Sequence, residues 1–284
     1  MSDVIAIIAP GEMGSAVGRR LREHGARVVT MLDGRSAQSI ARAERAGFAA
    51  VDGSERMVGE ADFILSIVPP GEAAGLAQQL APVLARAPRK PVYVDCNAVA
   101  PETAARIGAV LAATGCAYVD AAIIGPPPAA ASRTVFYASG EAAPQLLRLA
   151  ALGLQVRVLD APAGAASALK MSYAGITKGL TGLGAAMMLG ASRSGAAAAL
   201  RQELAESQPH LLAWLARQVP SMYPKAYRWV AEMEEIAAFS GGDVAAQQIY
   251  RGLARLYERL AEGGVAEDEL AQLSDFCRAA SGKI

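Results

Sequence analysis

Histidine is almost missing from the chain: His24 and His210 are the two in 284 residues. Neither approaches a nucleophile or a metal-ligand pattern in sequence, so Ser-His-Asp hydrolysis and histidine-built metal centres are excluded. Cysteine is nearly as scarce. Cys96, Cys116 and Cys277 are odd in number and lack ligand spacing, which fits buried thiols in a reducing cytoplasm better than a disulfide framework. Net charge is absent too, because 27 Lys and Arg balance 27 Asp and Glu. Neither nucleic acid nor an anionic membrane surface is an expected partner, and a small molecule is. No basic leader precedes the first apolar run and Asp3 stands at its edge, so no signal peptide is expected. The longest low-polarity stretch, Gly179 to Ala191, is bounded by Lys178 and falls short of the roughly 20 residues of a membrane span.

What is present begins at once. Val4-Ile5-Ala6-Ile7-Ile8 is a short apolar run suited to a parallel strand buried on both faces, and Ser15 to Leu21 has helical pattern. Between them lie Ala9, Pro10, Gly11, Glu12, Met13 and Gly14. Strand, glycine turn and helix in this order form a dinucleotide-binding opening: Gly11 lets backbone approach a pyrophosphate, Gly14 lets the helix pack on the strand, and free helix N–H groups favour negative charge. Ala9 stands where the fingerprint has its first glycine.

Strand and helix signals then alternate. Strands are expected at 27–31, 63–68, 92–95, 118–120, 134–138 and 156–159, with a short edge element at Val51-Asp52; helices are expected at 36–46, 73–85 and 101–113. Such alternation predicts an α/β fold with a Rossmann-type, doubly wound, mostly parallel sheet. After Asp160 strand signals stop, so residues 1–161 form the nucleotide-binding domain and residues 162–284 an all-helical C-terminal domain. Its first helix is expected from Ala165 to Ser192, with Gly175, Gly179 and Gly182 marking the close approach of another helix. Further helices are expected at 196–206, 209–217, 223–238, 244–261 and 266–279, divided by Pro220, Pro224, Gly241-Gly242 and Gly263-Gly264.

Candidate binding residues follow from strand ends, because ligands of open α/β sheets lie outside the carboxyl ends of the strands. Val68, Pro69 and Pro70 follow one strand and should line the cofactor; Asn97 follows another and either meets cofactor or substrate or caps the helix at Pro101. After the second strand the chain reads Leu32-Asp33-Gly34-Arg35-Ser36. Asp33 on both ribose hydroxyls would select NAD, whereas Arg35 and Ser36 around a 2′-phosphate would select NADP. The arginine and hydroxyl at a helix start favour NADP, hence NADPH. Lys170 is a cation in an otherwise apolar, small-residue stretch at the start of the long helix, where partial burial suits an acid/base toward a carbonyl or imine. Tyr173, one turn later, either holds substrate or packs in the core.

These motifs, in this order, resemble the β-hydroxyacid dehydrogenase superfamily, which includes 3-hydroxyisobutyrate and 6-phosphogluconate dehydrogenases and imine reductases. Ala9 to Gly14 is similar to its G-x-G-x-M-G, and Arg35-Ser36 to its NADP-type Arg-Thr. Asp120-Ala121-Ala122-Ile123-Ile124-Gly125 is similar to its substrate loop D-A-P-V-S-G, and Gly164 to Lys170 to its G-x-G-x-x-x-K. The helical half, with Lys178, Arg228-Trp229 and Glu232-Met233-Glu234-Glu235, resembles a phosphogluconate-dehydrogenase-like branch. The resemblance implies that Lys170 is the catalytic acid/base, that Ile123, Ile124 and Gly125 line the substrate, and that the chain forms a homodimer through its helical half. It also implies an oxidoreductase passing a hydride between NADPH and a small hydroxy-acid-like substrate. Two departures matter: Ile124 replaces the loop serine, and Tyr173-Ala174 replace an Asn pair. Both remove hydrogen bonds to a simple carboxylate. A C=N substrate, as in imine reductases or amine dehydrogenases, and a non-catalytic nucleotide-binding regulator are the alternatives. Arg133 either binds a substrate carboxylate or is solvated, and Glu234-Glu235 either present an acidic wall suited to a cationic substrate or form a solvated charged face.

Overall fold

The computed structural model describes residues 3–129, 132–262 and 265–281. By its internal contacts the chain divides into two units, residues 1–171 and 172–284.

The first unit is built on an eight-stranded sheet: β1 (Val4–Ile8), β2 (Arg27–Thr30), β3 (Ala49–Ala50), β4 (Phe63–Ser66), β5 (Val92–Asp95), β6 (Ala117–Ile124), β7 (Val135–Ser139) and β8 (Gln155–Val158). Their order is β3-β2-β1-β4-β5-β6-β7-β8. All neighbours run parallel except β6 and β7, which are antiparallel. Helices α1 (Glu12–Glu23), α2 (Ala37–Ala46), α3 (Gly53–Glu60), α4 (Ala73–Arg86) and α5 (Pro101–Ala112) connect the strands. Period-two alternation assigns the two faces: Ile5 and Ile7 enter one buried cluster with Val17, Leu65 and Val94, while Ala6 and Ile8 enter the other with Val29, Ile64 and Tyr93. The order reverses between β1 and β4, and that reversal opens the crevice at their carboxyl ends.

Two expectations shift here. The edge element pairs at Ala49–Ala50, not Val51-Asp52; Val51 only donates its N–H to Thr30 O at 3.0 Å, and Asp52 stands at the N-terminus of α3. The stretch expected as a loop from Asp120 is strand to Ile124, because Gly125, at φ 134°, turns the chain so that β7 pairs back along it.

The second unit is helical. Helix α6 (Ala165–Arg193) enters it from the first unit and is followed by α7 (Ala197–Ser207), α8 (Pro209–Met222), α9 (Ala226–Phe239), α10 (Val244–Ala261) and α11 (Val265–Ser281). The close approach expected along the glycine row is made by α10: a methyl group on Gly182 would sit 2.6 Å from Leu253, and one on Gly175 would sit 2.8 Å from the Tyr250 hydroxyl. Pro220 does not divide two helices; it lies inside α8, whose last turn is held by the fully buried Val219 and Met222. A short 3-10 turn, Tyr223–Lys225, then precedes α9. Gly263 and Gly264 lie outside the described residues.

The units divide ten residues beyond the boundary drawn from the sequence, inside α6. Its first backbone N–H groups are bonded to Asp120 of the sheet, so its opening turns pack with the first unit. Among the described residues no helix is long and apolar enough to cross a membrane, and no cluster of metal-ligating side chains occurs.

Candidate functional site

The turn after β1 carries the geometry its sequence implies. Ala9 adopts φ 63°, the left-handed region in which glycine rests without cost and alanine does not. Ala9 therefore performs the backbone role of the missing first glycine under strain. Gly11 donates its N–H to Ala9 O at 2.8 Å and precedes α1, whose N-terminus has no side-chain cap. A methyl group on Gly11 would meet nothing within 4 Å, whereas one on Gly14 would meet Ala9 O at 2.5 Å. Open space above Gly11, an uncapped helix start and close packing at Gly14 fit a dinucleotide pyrophosphate. Pro10 is buried, Met13 packs against the sheet's core, and Glu12 is exposed.

The neighbouring strand ends are tied together by Asn97. Its Oδ1 accepts from Val68 N at 2.7 Å, and its Nδ2 donates to Ser66 Oγ at 2.8 Å and to Asp95 Oδ1 at 2.5 Å. At 4% exposure, with both amide hydrogens engaged, Asn97 neither caps α5 nor presents a free amide. It is a strut that fixes Val68, Pro69 and Pro70 against β5. Asp95 is fully buried; burial pushes its carboxyl up to about 6, with Asn97 and the nearby Tyr118 hydroxyl acting against that rise. The charge of Asp120 on the next strand adds to it, and Asp95 and Asp120 are register partners. Among the described residues no hydrogen bond of ordinary geometry closes on Asp95 Oδ2, Tyr93 OH or Tyr118 OH.

Beyond β2, Gly34 at φ 69° makes the turn, Asp33 is exposed and Arg35 is half-buried. Ser36 is exposed and caps α2, accepting from Ser39 N at 3.3 Å. The Ser36 oxygen thus already serves its own helix, while its surroundings remain open.

Lys170 is placed by strand β6. Asp120 Oδ2 accepts from the backbone N–H of Gly164 at 2.8 Å, Ala166 at 3.1 Å and Ser167 at 3.2 Å, and from Ser139 Oγ at 2.7 Å. Its Oδ1 accepts from Ser167 Oγ at 2.6 Å. The carboxylate is therefore the N-terminal cap of α6. One turn into α6, the half-buried Lys170 donates from Nζ to the carbonyl of Ile123, on the strand that carries Asp120. The Ile123 side chain belongs to the sheet's core; only its carbonyl reaches this site. Ile124 is half-buried and Gly125 exposed; a side chain at Gly125 would meet Thr134 at 2.8 Å. Arg133 is exposed. Cys96 is buried within reach of the Lys170 charge, and burial raises its thiol well above the usual range.

Tyr173 lies in the helical unit and is 51% exposed. In that unit Lys178 of α6 pairs with Glu232 of α9, beneath the Trp229 ring at 5.0 Å. Burial pulls the Lys178 ammonium below its usual range, partly offset by Glu232. The acidic member of this buried pair is Glu232, not Glu234 or Glu235, the residues expected from the sequence to supply an acidic group. Ser139, Ser167 and Ser66 were also missed. Single hydroxyls carry no sequence signal, although Ser167 at the opening of a helix is a legible capping group.

Residues 4–152 match the family described as the NAD binding domain of 6-phosphogluconate dehydrogenase, and residues 191–260 match a domain of unknown function, DUF1932. No curated protein matches the sequence. Among solved structures, MTH1747, a conserved protein of unknown function described as structurally similar to 3-hydroxyacid dehydrogenases, is 26% identical, covers 95% of this chain and 99% of its own, and superposes with TM-score 0.73. The Mycobacterium tuberculosis 3-hydroxyisobutyrate dehydrogenase with L-serine is 18% identical over 97% of this chain and 99% of its own, with TM-score 0.71. A reductive aminase from Aspergillus terreus in complex with NADPH and ethyl-5-oxohexanoate is 18% identical over 93% and 96%, with TM-score 0.55.

Proposed function

The chain belongs to the family of the NAD binding domain of 6-phosphogluconate dehydrogenase, which makes it an NAD(P)-dependent oxidoreductase, and we propose that it passes a hydride between NADPH and a small hydroxy-acid-like substrate, with Lys170 as general acid/base. The observation that carries this reading is the bond from Lys170 to the Ile123 carbonyl, near the carboxyl end of β6, a strand that runs parallel to β5, β4 and β1 in the sheet whose β1 leads into the dinucleotide turn. A carbonyl acceptor favours the charged ammonium, so Lys170 rests as the acid that a carbonyl substrate needs. In reduction its Nζ gives a proton to the substrate oxygen as that oxygen becomes a hydroxyl; in oxidation the neutral amine takes the hydroxyl proton back.

When bound, the nicotinamide supplies or accepts the hydride. Pro10 to Gly14 hold the pyrophosphate, with Gly11 giving the closest backbone approach. Val68, Pro69 and Pro70, fixed by Asn97, line the ring side of the cradle. Arg35 and Ser36 take the 2′-phosphate, which is the basis for preferring NADPH over NAD; Asp33 is the group that would reverse the preference. Ile124 and Gly125 shape the substrate side. With Ile124 in place of a hydroxyl residue, that side suits a bulkier, less polar group than a simple 3-hydroxy acid. The same apolar contact supports the second reading, reduction of C=N, since an imine carbon asks for no carboxylate-binding serine.

Protein fluorescence titrated with NADPH and with NADH, followed by turnover on keto acids, aldehydes and cyclic imines, tests the reading. Lys170→Met should keep NADPH affinity and lose about 10³-fold in turnover. Wild-type turnover in that variant would remove the mechanism. Tight NADPH binding with no oxidation of any substrate would favour a non-catalytic regulator.

The homodimer has its own support. Tyr173, Ile176, Leu180, Leu183 and Met187 follow heptad spacing along α6 and are 37–68% exposed. A second copy covering this stripe is the proposed assembly, and a monomer in sedimentation at micromolar concentration would refute it. In that assembly Tyr173 serves the seam first.

A further inference from the structure

Asp120 falls in the stretch that resembles a substrate loop, yet it is 1% exposed and its carboxylate accepts from Ser139, Gly164, Ala166 and Ser167. Its bonds form one side of a closed ring. From Asp120 the ring passes through the N–H groups of Gly164, Ala166 and Ser167 into α6, runs one turn to Lys170, and returns through Lys170 Nζ to the carbonyl of Ile123, three residues from Asp120 on β6. Ser139, register partner of Asp120 on β7, closes the near end: its hydroxyl donates to Asp120 Oδ2 and accepts from Ala166 N at 3.0 Å. Four residues of strand thus clamp both ends of the helical segment that carries the lysine.

We propose that Asp120 is the positioning residue for Lys170, a proposal that rests on the acid/base reading of that lysine. Its effect has two parts. The cap fixes the start of α6 relative to β6, so Nζ meets the Ile123 carbonyl, and thereby the reacting atom, without a search among rotamers. A misplacement of about 1 Å at such a group can cost on the order of 100-fold in rate. The buried negative charge at the base of the ring also favours the ammonium over the amine, holding the lysine in its acid form. Asp120 touches neither substrate nor cofactor in this role; it acts through Lys170.

The test replaces Asp120 with asparagine, which preserves shape and removes charge and one acceptor. Acetic anhydride labelling across pH, read at Lys170 by mass spectrometry, follows the lysine's own titration without needing a substrate. In Asp120→Asn the midpoint should move down by about one pH unit. With the substrate found in the panel above, kcat should fall about 100-fold while NADPH affinity stays unchanged, and the lysine limb of the pH profile should move with the labelling midpoint. If the variant does not fold, Ser167→Ala, which removes one bond and leaves the carboxylate, should lower kcat about tenfold with NADPH affinity intact. An unmoved Lys170 titration and unchanged kcat in Asp120→Asn, or unchanged kcat in Ser167→Ala, would overturn the proposal. Lys170→Met measured beside them separates the two failures. Loss of turnover there with a wild-type Asp120→Asn sinks this proposal alone, whereas retained turnover in Lys170→Met sinks the acid/base reading and leaves labelling to report whether Asp120 governs the lysine.

Discussion

The two units bury charge by different means. In the sheet unit, Asp120 is surrounded by five hydrogen-bond donors, three of them backbone N–H groups at the start of a helix. In the helical unit, Lys178 and Glu232 have each other, with the Trp229 ring against the ammonium and Tyr257 edge-on to the indole at 5.2 Å. A carboxylate held by backbone dipoles needs no opposite charge and is fixed by the fold itself. An ion pair depends on both members, and either one alone is an uncompensated charge. The difference teaches where each unit is fragile: the sheet unit at strand ends, the helical unit at a pair of side chains.

Breaking the helical pair should give the largest effect. Glu232→Leu leaves Lys178 buried without its partner and should cost about 3–5 kcal/mol, measured by chemical denaturation. Adding Lys178→Met should restore most of that loss, because an apolar pair of similar volume avoids the desolvation that the charges suffer. Additive losses in the double variant would mean that the two side chains act separately. The single variant should also gain stability as pH rises. With its folded pKa lowered further, Lys178 binds fewer protons folded than unfolded, so the penalty fades as the unfolded chain also loses its proton.

Asp95 sharpens the comparison from inside the sheet unit, since it is the register partner of Asp120 yet lacks its ring of donors. Its folded pKa is raised from 3.8 to about 6. Between those values the folded state holds a proton that the unfolded state releases, so its contribution is fully present below the unfolded value and is lost as pH rises through about 6. The loss is on the order of 3 kcal/mol. Asp95→Asn keeps an acceptor for Asn97 and cannot ionise. Relative to wild type it should gain stability from acid toward neutral pH, read as the difference between denaturation midpoints at the two ends. A constant difference would mean that Asp95 ionises without penalty.

Legibility in the sequence follows the same division. The parallel strands, the turn at Gly11 and Gly14, the start of α6 and the span of α10 are legible because apolar period and glycine placement are local signals. The antiparallel return of β7 and the strand character of Asp120 to Ile124 are not, because they depend on how Gly125 redirects the chain. Pro220 misleads for a related reason: tertiary packing of Val219 and Met222 carries α8 past it. At the site, Lys170 and the glycine turn can be read from residue type. The role of Asn97 as a strut, the capping by Asp120 and the pairing of Lys178 with Glu232 join residues 29 to 54 positions apart, met only after folding.

The smallest effect tests the strain at the turn. Ala9 holds φ 63°, where its Cβ opposes the conformation by about 1 kcal/mol relative to glycine. Ala9→Gly relieves that strain but also frees the unfolded chain, which costs a similar amount. Net stability should therefore change by less than about 1 kcal/mol, while the native turn, already in the geometry glycine prefers, keeps its shape. NADPH affinity should stay within about threefold, because the cradle is made by Gly11 and the uncapped start of α1. A tenfold or greater gain in affinity would show that the Ala9 methyl itself obstructs the cofactor. A large loss of stability would show that the surrounding contacts of the Ala9 methyl, rather than the backbone angle, govern this turn.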